Sequence, residues 1–398
     1  MNRDVAPAQP GEFAPVHLGQ VPVWPPVVLA PMAGVTNYPF RRLCREFGAG
    51  IYVSEMITAR GYLKGNRLTR LLASSQPGES PRSVQIYGTD PKDVGEMARS
   101  LVDDGVDHLD MNFGCPVPKV TKNGGGSAVP VKPRLLARIV RAAVAGAGGR
   151  VPVTIKVRKG IEPDLLTFLD AGRVAQEEGA AAIGLHARTA SELYSGTADW
   201  PSITELVNHV SIPVFGNGDI WEAWDALRMM RETGCAGVIV GRGCLGRPWL
   251  FGELSDVFGE TPESGGTIAR QPPNMGQIAQ VAHDHAQALV DFFGEVHGMR
   301  QMRKRCSWYT IGFRGSAKTR GKVVKVESIA AMDEIFDELD PTEPFPPHAL
   351  RAHRGKGGRT QRVRLPEGYL DNRDDDTPPR GPNTLEEIEA WEKALSGG

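Results

Sequence analysis

The chain has 398 residues, 40% of them hydrophobic and 23% charged, with a formal net charge of −1. That composition fits a soluble globular protein with two domains, or one large barrel plus an appendage, and it excludes a uniformly basic nucleic-acid binder, leaving any RNA affinity to a local patch. No run nears the ~20 apolar residues of a bilayer span, residues 1–15 lack a signal peptide's apolar core, and none of the five cysteines lies in a CxxC pair, so a reduced, cytoplasmic, monomeric protein without a membrane segment or metal site is expected.

In chain order, residues 1–20 carry Pro, Gly and Gln without periodicity and read as a flexible arm. From 21 to 258, short apolar runs alternate with helical patterns. The runs occupy 27–31, 51–55, 83–87, 106–112, 151–157, 181–187, 212–217 and 236–241, and amphipathic segments fall near 38–46, 91–104, 133–147, 165–178, 202–209 and 221–232. Continuous apolar strands separated by helices imply a parallel sheet covered on both faces. Eight units in about 220 residues is the count and size of a (β/α)8 barrel, the TIM barrel of the α/β class. The polar residues at the ends of these runs agree with it: a barrel gathers strand ends on one rim, whereas an open sheet spreads them along a line. Residues 275–345 show helical periodicity and no strand, which predicts an all-helical C-terminal domain. From 346 to 398 the chain is poor in apolar residues and dense in Arg, Asp, Gly and Pro. That stretch reads as a disordered tail, with a capping-box pattern opening a short helix at 384–395.

The stretch Asp110-Met111-Asn112-Phe113-Gly114-Cys115-Pro116, followed by Lys119, Lys122 and the run Asn123-Gly124-Gly125-Gly126, reads as a long loop. Such loops in compact domains are usually functional or disordered. A lone Cys is most often a small buried hydrophobe. Its Gly-Cys-Pro setting beside lysines favours chemistry, and a thiol with an ordinary pKa of about 8.5 stays protonated near neutrality and can act as a general acid. A nucleophilic role needs a base to form thiolate, for which His186 is the candidate.

Two glycine-bearing turns, Gly216-Asn217-Gly218-Asp219 and Gly241-Arg242-Gly243, follow the last two strands. That is where barrels seat phosphates, although glycines also simply permit tight turns. Gln85, Lys156 and His186 end strands three, five and six, a trio that suits a flavin ring. The plainer reading pairs Lys156 with Asp110 and leaves His186 a satisfied core histidine. Residues 300–325 contain nine Lys and Arg and no acid. Arg300, Arg303 and Lys304 share one helical face, with Trp308 and Tyr309 following, a pattern suited to structured RNA. A solvated helix face is the ordinary alternative.

Six ordered motifs, including Pro31-Met32-Ala33-Gly34-Val35-Thr36, Asn112-x-Gly114-Cys115-Pro116-x-x-Lys119, His186-Ala187-Arg188-Thr189 and Gly216-Asn217-Gly218-Asp219, resemble the tRNA-dihydrouridine synthases, closest to the bacterial B-type branch. The resemblance covers roughly residues 20–340. It implies an FMN-bound barrel with a helical RNA-binding domain that reduces uridine in tRNA with NADPH. By that resemblance Cys115 is the catalytic acid. Pro31, Met32, Ala33, Gln85, Lys156, His186, Asn217, Gly218, Asp219, Gly241 and Arg242 contact FMN. Asn112, Lys119, Lys122, Arg188, Arg300, Arg303 and Lys304 meet the RNA. A flavin barrel acting on free pyrimidines, and a barrel that binds RNA without catalysis, are the competing readings.

Overall fold

In the computed structural model, which describes residues 4–48, 50–74, 76–355 and 359–379, each of the eight apolar runs becomes one parallel strand and the eight close on themselves. They are β1 (Val27–Leu29), β2 (Ile51–Thr58), β3 (Ser83–Tyr87), β4 (His108–Phe113), β5 (Val153–Arg158), β6 (Ala182–His186), β7 (Val214–Asn217) and β8 (Gly237–Val240). Ile239 of β8 pairs with Val28 of β1 to shut the ring. The (β/α)8 expectation is borne out and the open sheet is not, because closure leaves no strand edge.

The outer helices are α1 (Tyr38–Phe47), α2 (Pro91–Asp103), α3 (Pro133–Ala147), α4 (Phe168–Glu177), α5 (Pro201–His209), α6 (Ala223–Thr233) and α7 (Leu250–Phe258). Their starts follow from capping. The Asn37 side chain accepts from the Phe40 amide at 3.2 Å at the head of α1, and Asp90 accepts from the Lys92 amide at 2.9 Å at the head of α2. The unit after β2 departs from the pattern. It holds two short helices, Ala59–Leu63 and Arg67–Ala73, divided at Gly65 and restarted by an Asn66 cap.

The barrel interior is divided by chemistry. Val28, Val53, Ala182, Phe215 and Ile239 form an apolar cluster, closed from below by Val16, Leu18 and Val23 of an antiparallel ribbon that precedes β1. On the other side, every second residue of β3, β4 and β5 is polar: Ser83 and Gln85, His108, Asp110 and Asn112, Thr154, Lys156 and Arg158. A strand sends alternate side chains to one face, so these residues form one inward polar column.

A second core lies in α8 (Met275–Phe293), α9 (Glu295–Tyr309), α10 (Ser316–Val323) and α11 (Ile329–Phe336). Met275, Ile278, Ala282, Ala286 and Leu289 recur at helical spacing and pack against Met299, Met302, Cys306 and Tyr309. This unit docks on the barrel through Phe40 against His285, with ring centres 5.5 Å apart, and through an Arg305 Nη2 bond of 2.8 Å to the Gly34 carbonyl. Among the described residues no helix is long and apolar enough to cross a membrane.

The reading of 346–398 as a disordered tail does not hold for its described part. Arg351 pairs with Glu222 and Asp225 at 2.9 and 2.6 Å. Arg354 is buried and bonds the Trp308 carbonyl at 3.1 Å. Val363, Leu365 and Tyr369 join Ala128, Val131 and Ile161 in a small apolar cluster. Asp375 and Asp376 pair with Lys132 and Arg138 of the barrel at 2.6 and 3.2 Å. Low average hydropathy failed as a guide because a few apolar residues and many charges each find a matching partner on the barrel surface. The helix expected at 384–395 lies outside the described residues.

Candidate active site at the strand ends

The polar column rises as a hydrogen-bond chain. Ser83 Oγ lies 2.7 Å from His108 Nδ1, and His108 Nε2 lies 2.9 Å from Thr154 Oγ1. Thr154 donates to Asp110 Oδ1 at 2.6 Å, Gln85 Nε2 donates to Asp110 Oδ2 at 2.7 Å, and Asn112 Nδ2 donates to Gln85 Oε1 at 2.8 Å. At the top, Asn112 Oδ1 accepts from the amides of Gly114 and Cys115 at 3.2 and 3.0 Å. Burial raises the Asp110 carboxyl to about 6, against the lowering effect of its bonds to Thr154 and Gln85 and of the Lys156 charge. Burial lowers His108 to about 4. Buried polar groups are tolerable when each is bonded, and here the chain ends on the backbone that carries Cys115.

The Cys115 loop is not structureless. Pro118–Thr121 makes one helical turn and Gly126–Val131 a 3-10 helix. The Ser127 amide donates to the Cys115 carbonyl at 3.1 Å. Gly126 has φ +55°, and a Cβ there would sit 2.5 Å from the Cys115 carbonyl oxygen, so only glycine lets the loop return so close. Arg158 Nε bonds the Gly114 carbonyl at 3.0 Å, and its Nη1 holds the Thr189 and Leu193 carbonyls, both at 2.9 Å. Cys115 itself is half-buried, whereas the other four cysteines are buried.

Beside this loop lies a basin of positive charge. Asn112 stands opposite Lys156 in the β4–β5 register, and His186 stands opposite Arg158 and Asn217. Neither ring nitrogen of His186 has a hydrogen-bond partner among the described residues. Burial holds this imidazole well below its ordinary pKa, helped by Arg158, Lys156, Arg188 and Arg242. Lys156 is lowered to about 8 by burial and by Arg158. Asp110 bonds Thr154 and Gln85 and acts on Lys156 through charge alone, and His186 lacks the internal hydrogen bonds of a satisfied core histidine among the described residues. Tyr194 closes the basin, with its ring centre 4.7 Å from the Arg242 guanidinium and 5.5 Å from that of Arg158.

Several expected ligand contacts are engaged within the protein. Arg188, expected at the RNA, is buried; its Nη2 bonds both Asp219 oxygens at 2.9 Å and the Gly196 carbonyl at 2.7 Å. The Asp219 carboxylate also accepts from the Ala198 amide at 2.7 Å, and the Asn217 side chain donates to the Ile239 carbonyl at 2.8 Å. These three side chains build the rim, and their polar groups are largely occupied. Pro31 and Met32 are half-buried and Ala33 exposed at the end of β1, where Met32 is tied to Thr36.

The basin fits the FMN that the family resemblance implies. Arg188 Nη1 is buried without a partner, and Lys156 Nζ has no hydrogen-bond partner among the described residues. Gly218 has φ +137°, and a Cβ there would collide with the Ala198 Cβ at 2.6 Å and lie 3.7 Å from Arg188 Nη1 and His186 Cδ2, so only glycine fits beside these groups. A Cβ on Gly241 would meet only the Ala30 Cβ, at 3.7 Å. A buried unpaired guanidinium donor, a nearby lysine and the room at Gly241 suit an anionic, phosphate-bearing ligand.

On the helical domain the expected RNA face divides. Arg300 and Lys304 are exposed, as are Lys119 and Lys122 near Cys115. Arg303, in contrast, bonds the Val326 carbonyl at 2.7 Å and lies 3.5 Å from Glu327. Trp308 and Tyr309 are buried and unavailable to a base. The basic aromatic pattern partly served the internal core. Sequence reasoning missed the loop-holding roles of Arg158 and Asn112 and the presence of Tyr194. A usable signal existed for the first: Thr154, Lys156 and Arg158 alternate in an otherwise apolar strand.

A family model described as dihydrouridine synthase (Dus) matches residues 28–340. The chain is 48% identical over 380 residues to a probable tRNA-dihydrouridine synthase of Mycobacterium tuberculosis (strain CDC 1551 / Oshkosh), covering 93% of this chain and 96% of that one. It is 46% identical over 388 residues to a probable tRNA-dihydrouridine synthase of Mycobacterium leprae, covering 90% and 99%. Identity to tRNA-dihydrouridine synthase B of Xanthomonas campestris pv. campestris is 38% over 340 residues, covering 84% and 99%. With the barrel, the rim motifs and a family match over most of its length, this chain belongs to the dihydrouridine synthase family.

Proposed function

We propose that this chain reduces uridine in tRNA to 5,6-dihydrouridine, with FMN as its bound flavin and NADPH as the reductant. The observation that carries the reading is the pairing of a backbone-pinned Cys115 with an adjoining cationic basin at the same barrel rim, in which Arg188 Nη1 is buried without a partner. When bound, the flavin supplies a hydride to uracil C6. The C5=C6 π pair then moves to C5, and the Cys115 thiol donates its proton there; solvent restores the thiol. Asn112 and Ser127 hold the Cys115 backbone so that the proton arrives from a set direction. Lys156 would lie beside the flavin ring as a balancing cation, and Arg188 and Arg242 would hold its phosphate. A base within a helix cannot reach the barrel rim, so the uridine must be unstacked and flipped in. Lys119, Lys122, Arg300 and Lys304 meet RNA phosphates.

The test is purified full-length protein with NADPH, offered tRNA and, separately, free uracil and orotate. Dihydrouridine in tRNA, and its loss from the tRNA of cells lacking the gene, is the expected outcome. Faster turnover of the free bases would overturn the assignment in favour of a free-pyrimidine reductase.

A further inference from the structure

The backbone around Cys115 is held at four points, three of them from the barrel. Asn112 takes the Cys115 amide, Ser127 the Cys115 carbonyl, and Arg158 the preceding carbonyl of Gly114. The fourth comes from the C-terminal segment: Gln361 Nε2 donates to the following carbonyl, that of Pro116, at 2.7 Å. The same amide nitrogen donates to the Ala190 carbonyl at 3.1 Å, and the Gln361 backbone amide donates to the Ser191 carbonyl at 2.8 Å. Gln361 and Arg158 therefore act in parallel, each joining the Cys115 loop to the loop that follows β6.

The segment that supplies Gln361 is docked along the whole thiol loop. Its exposure alternates, with Gln361, Val363 and Leu365 turned inward and Arg362 and Arg364 exposed. Val363 and Leu365 pack against the cluster of Ala128, Val131, Ile161 and Tyr369. Arg373 Nε bonds the Val131 carbonyl at 3.0 Å, and Lys132 pairs with Asp375 at 2.6 Å while lying 4.6 Å from the Tyr369 ring centre. The family model ends at residue 340, so this strap lies outside the residues it matches.

We propose that Gln361 is a positioning residue for Cys115, acting through the Pro116 carbonyl. This rests on Cys115 being the proton donor, but its geometric half can be tested without turnover. A proton donor displaced by a fraction of an ångström loses rate while the rest of the machinery is intact. Removing the amide frees the Pro116–Val117 peptide, one beyond the thiol, while Arg158 and Asn112 still hold the Gly114–Cys115 peptide and Ser127 the Cys115 carbonyl, so the loop loosens on one side of the thiol and the sulfur shifts.

The experiment uses full-length Gln361→Ala and Gln361→Glu, with Val363→Ala as the variant that loosens strap packing but keeps the amide. The alkylation rate of Cys115 by iodoacetamide, read by mass spectrometry of its peptide, reports thiol placement; kcat and KM on tRNA report turnover. Both Gln361 variants should change the alkylation rate by about fivefold and lower kcat by about tenfold, with KM and flavin content unchanged. Val363→Ala should lower Tm and leave both rates near wild type. An alkylation rate within twofold of wild type in Gln361→Ala would overturn the proposal, as would equal effects from Val363→Ala. A changed alkylation rate in a protein that makes no dihydrouridine at all would uphold the positioning role and sink the proposed reaction instead.

Discussion

The two sides of the barrel rim are built on opposite principles. Around Cys115 each neighbouring backbone group has a partner, from Asn112, Ser127, Arg158 or Gln361. Around Lys156, His186 and Arg188, Asp219 faces the Arg188 and Arg242 cations, Arg188 Nη1 is buried without a partner, and Lys156 has no hydrogen-bond partner among the described residues. A fully bonded site is preorganised by the fold and gains nothing from a ligand. An unmet basin is a local cost to the apo protein that an anionic ligand removes. The difference separates what the chain positions by itself, the thiol of Cys115, from what the basin is open to receive.

The largest expected effect lies on the pinned side. Cys115→Ala should lower dihydrouridine formation by about two to four orders of magnitude, with bound flavin and its reduction by NADPH retained. Unchanged product formation would remove the acid role and with it the meaning of the pinned loop.

On the basin side, Arg188→Met should weaken FMN binding by about 10- to 100-fold and also lower Tm, because Asp219 loses its partner. The double variant Arg188→Met/Asp219→Asn separates the two roles: Tm should recover while FMN affinity, measured by fluorescence quenching, stays low. Recovery of both would make Arg188 purely structural and break the comparison.

A smaller effect concerns pH. Lys156, lowered to about 8, is charged below that value and neutral above it, so FMN affinity should fall by about fivefold as pH rises through 8. Lys156→Met should flatten this dependence. For stability the sign follows Asp110, whose carboxyl is raised from 3.8 to about 6. Its contribution is complete below the unfolded value and is lost as pH rises through 6. Asp110→Asn should remove that part of the stability–pH curve in chemical denaturation.

The smallest effects belong to the helical domain. Arg300→Glu and Lys304→Glu should each raise KM for tRNA by about two- to threefold at low salt, and less at high salt. Arg303→Glu should instead lower Tm by a few degrees, since it breaks the bond to Val326. Equal KM effects from all three would restore the undivided basic face.

Much of this architecture was legible because its signals are local. The apolar run at 236–241 became β8 at Gly237–Val240, and the pattern at 133–147 became α3 over the same residues. The Gly-Cys-Pro loop announced itself by composition. What remained hidden was always a partner far away in the chain. Arg188 reads as an exposed basic residue after a strand, and nothing local says that Asp219, 31 positions on, will enclose it. Trp308 beside a basic run suggests base stacking until it is buried under the Arg354 segment. Residues 359–379 look unstructured by average hydropathy, yet Gln361 reaches a carbonyl 245 positions earlier.

The sequence by itself determined the barrel, the helical appendage and the place of the thiol, because periods of two and 3.6 and the demands of glycine and proline act between near neighbours. Only the tertiary structure decided which cations are bound to the protein and which remain for a ligand. It also decided that the C-terminal segment braces the thiol loop. Closing a barrel brings loop ends together regardless of their separation in the chain, and charge pairing is settled by that proximity.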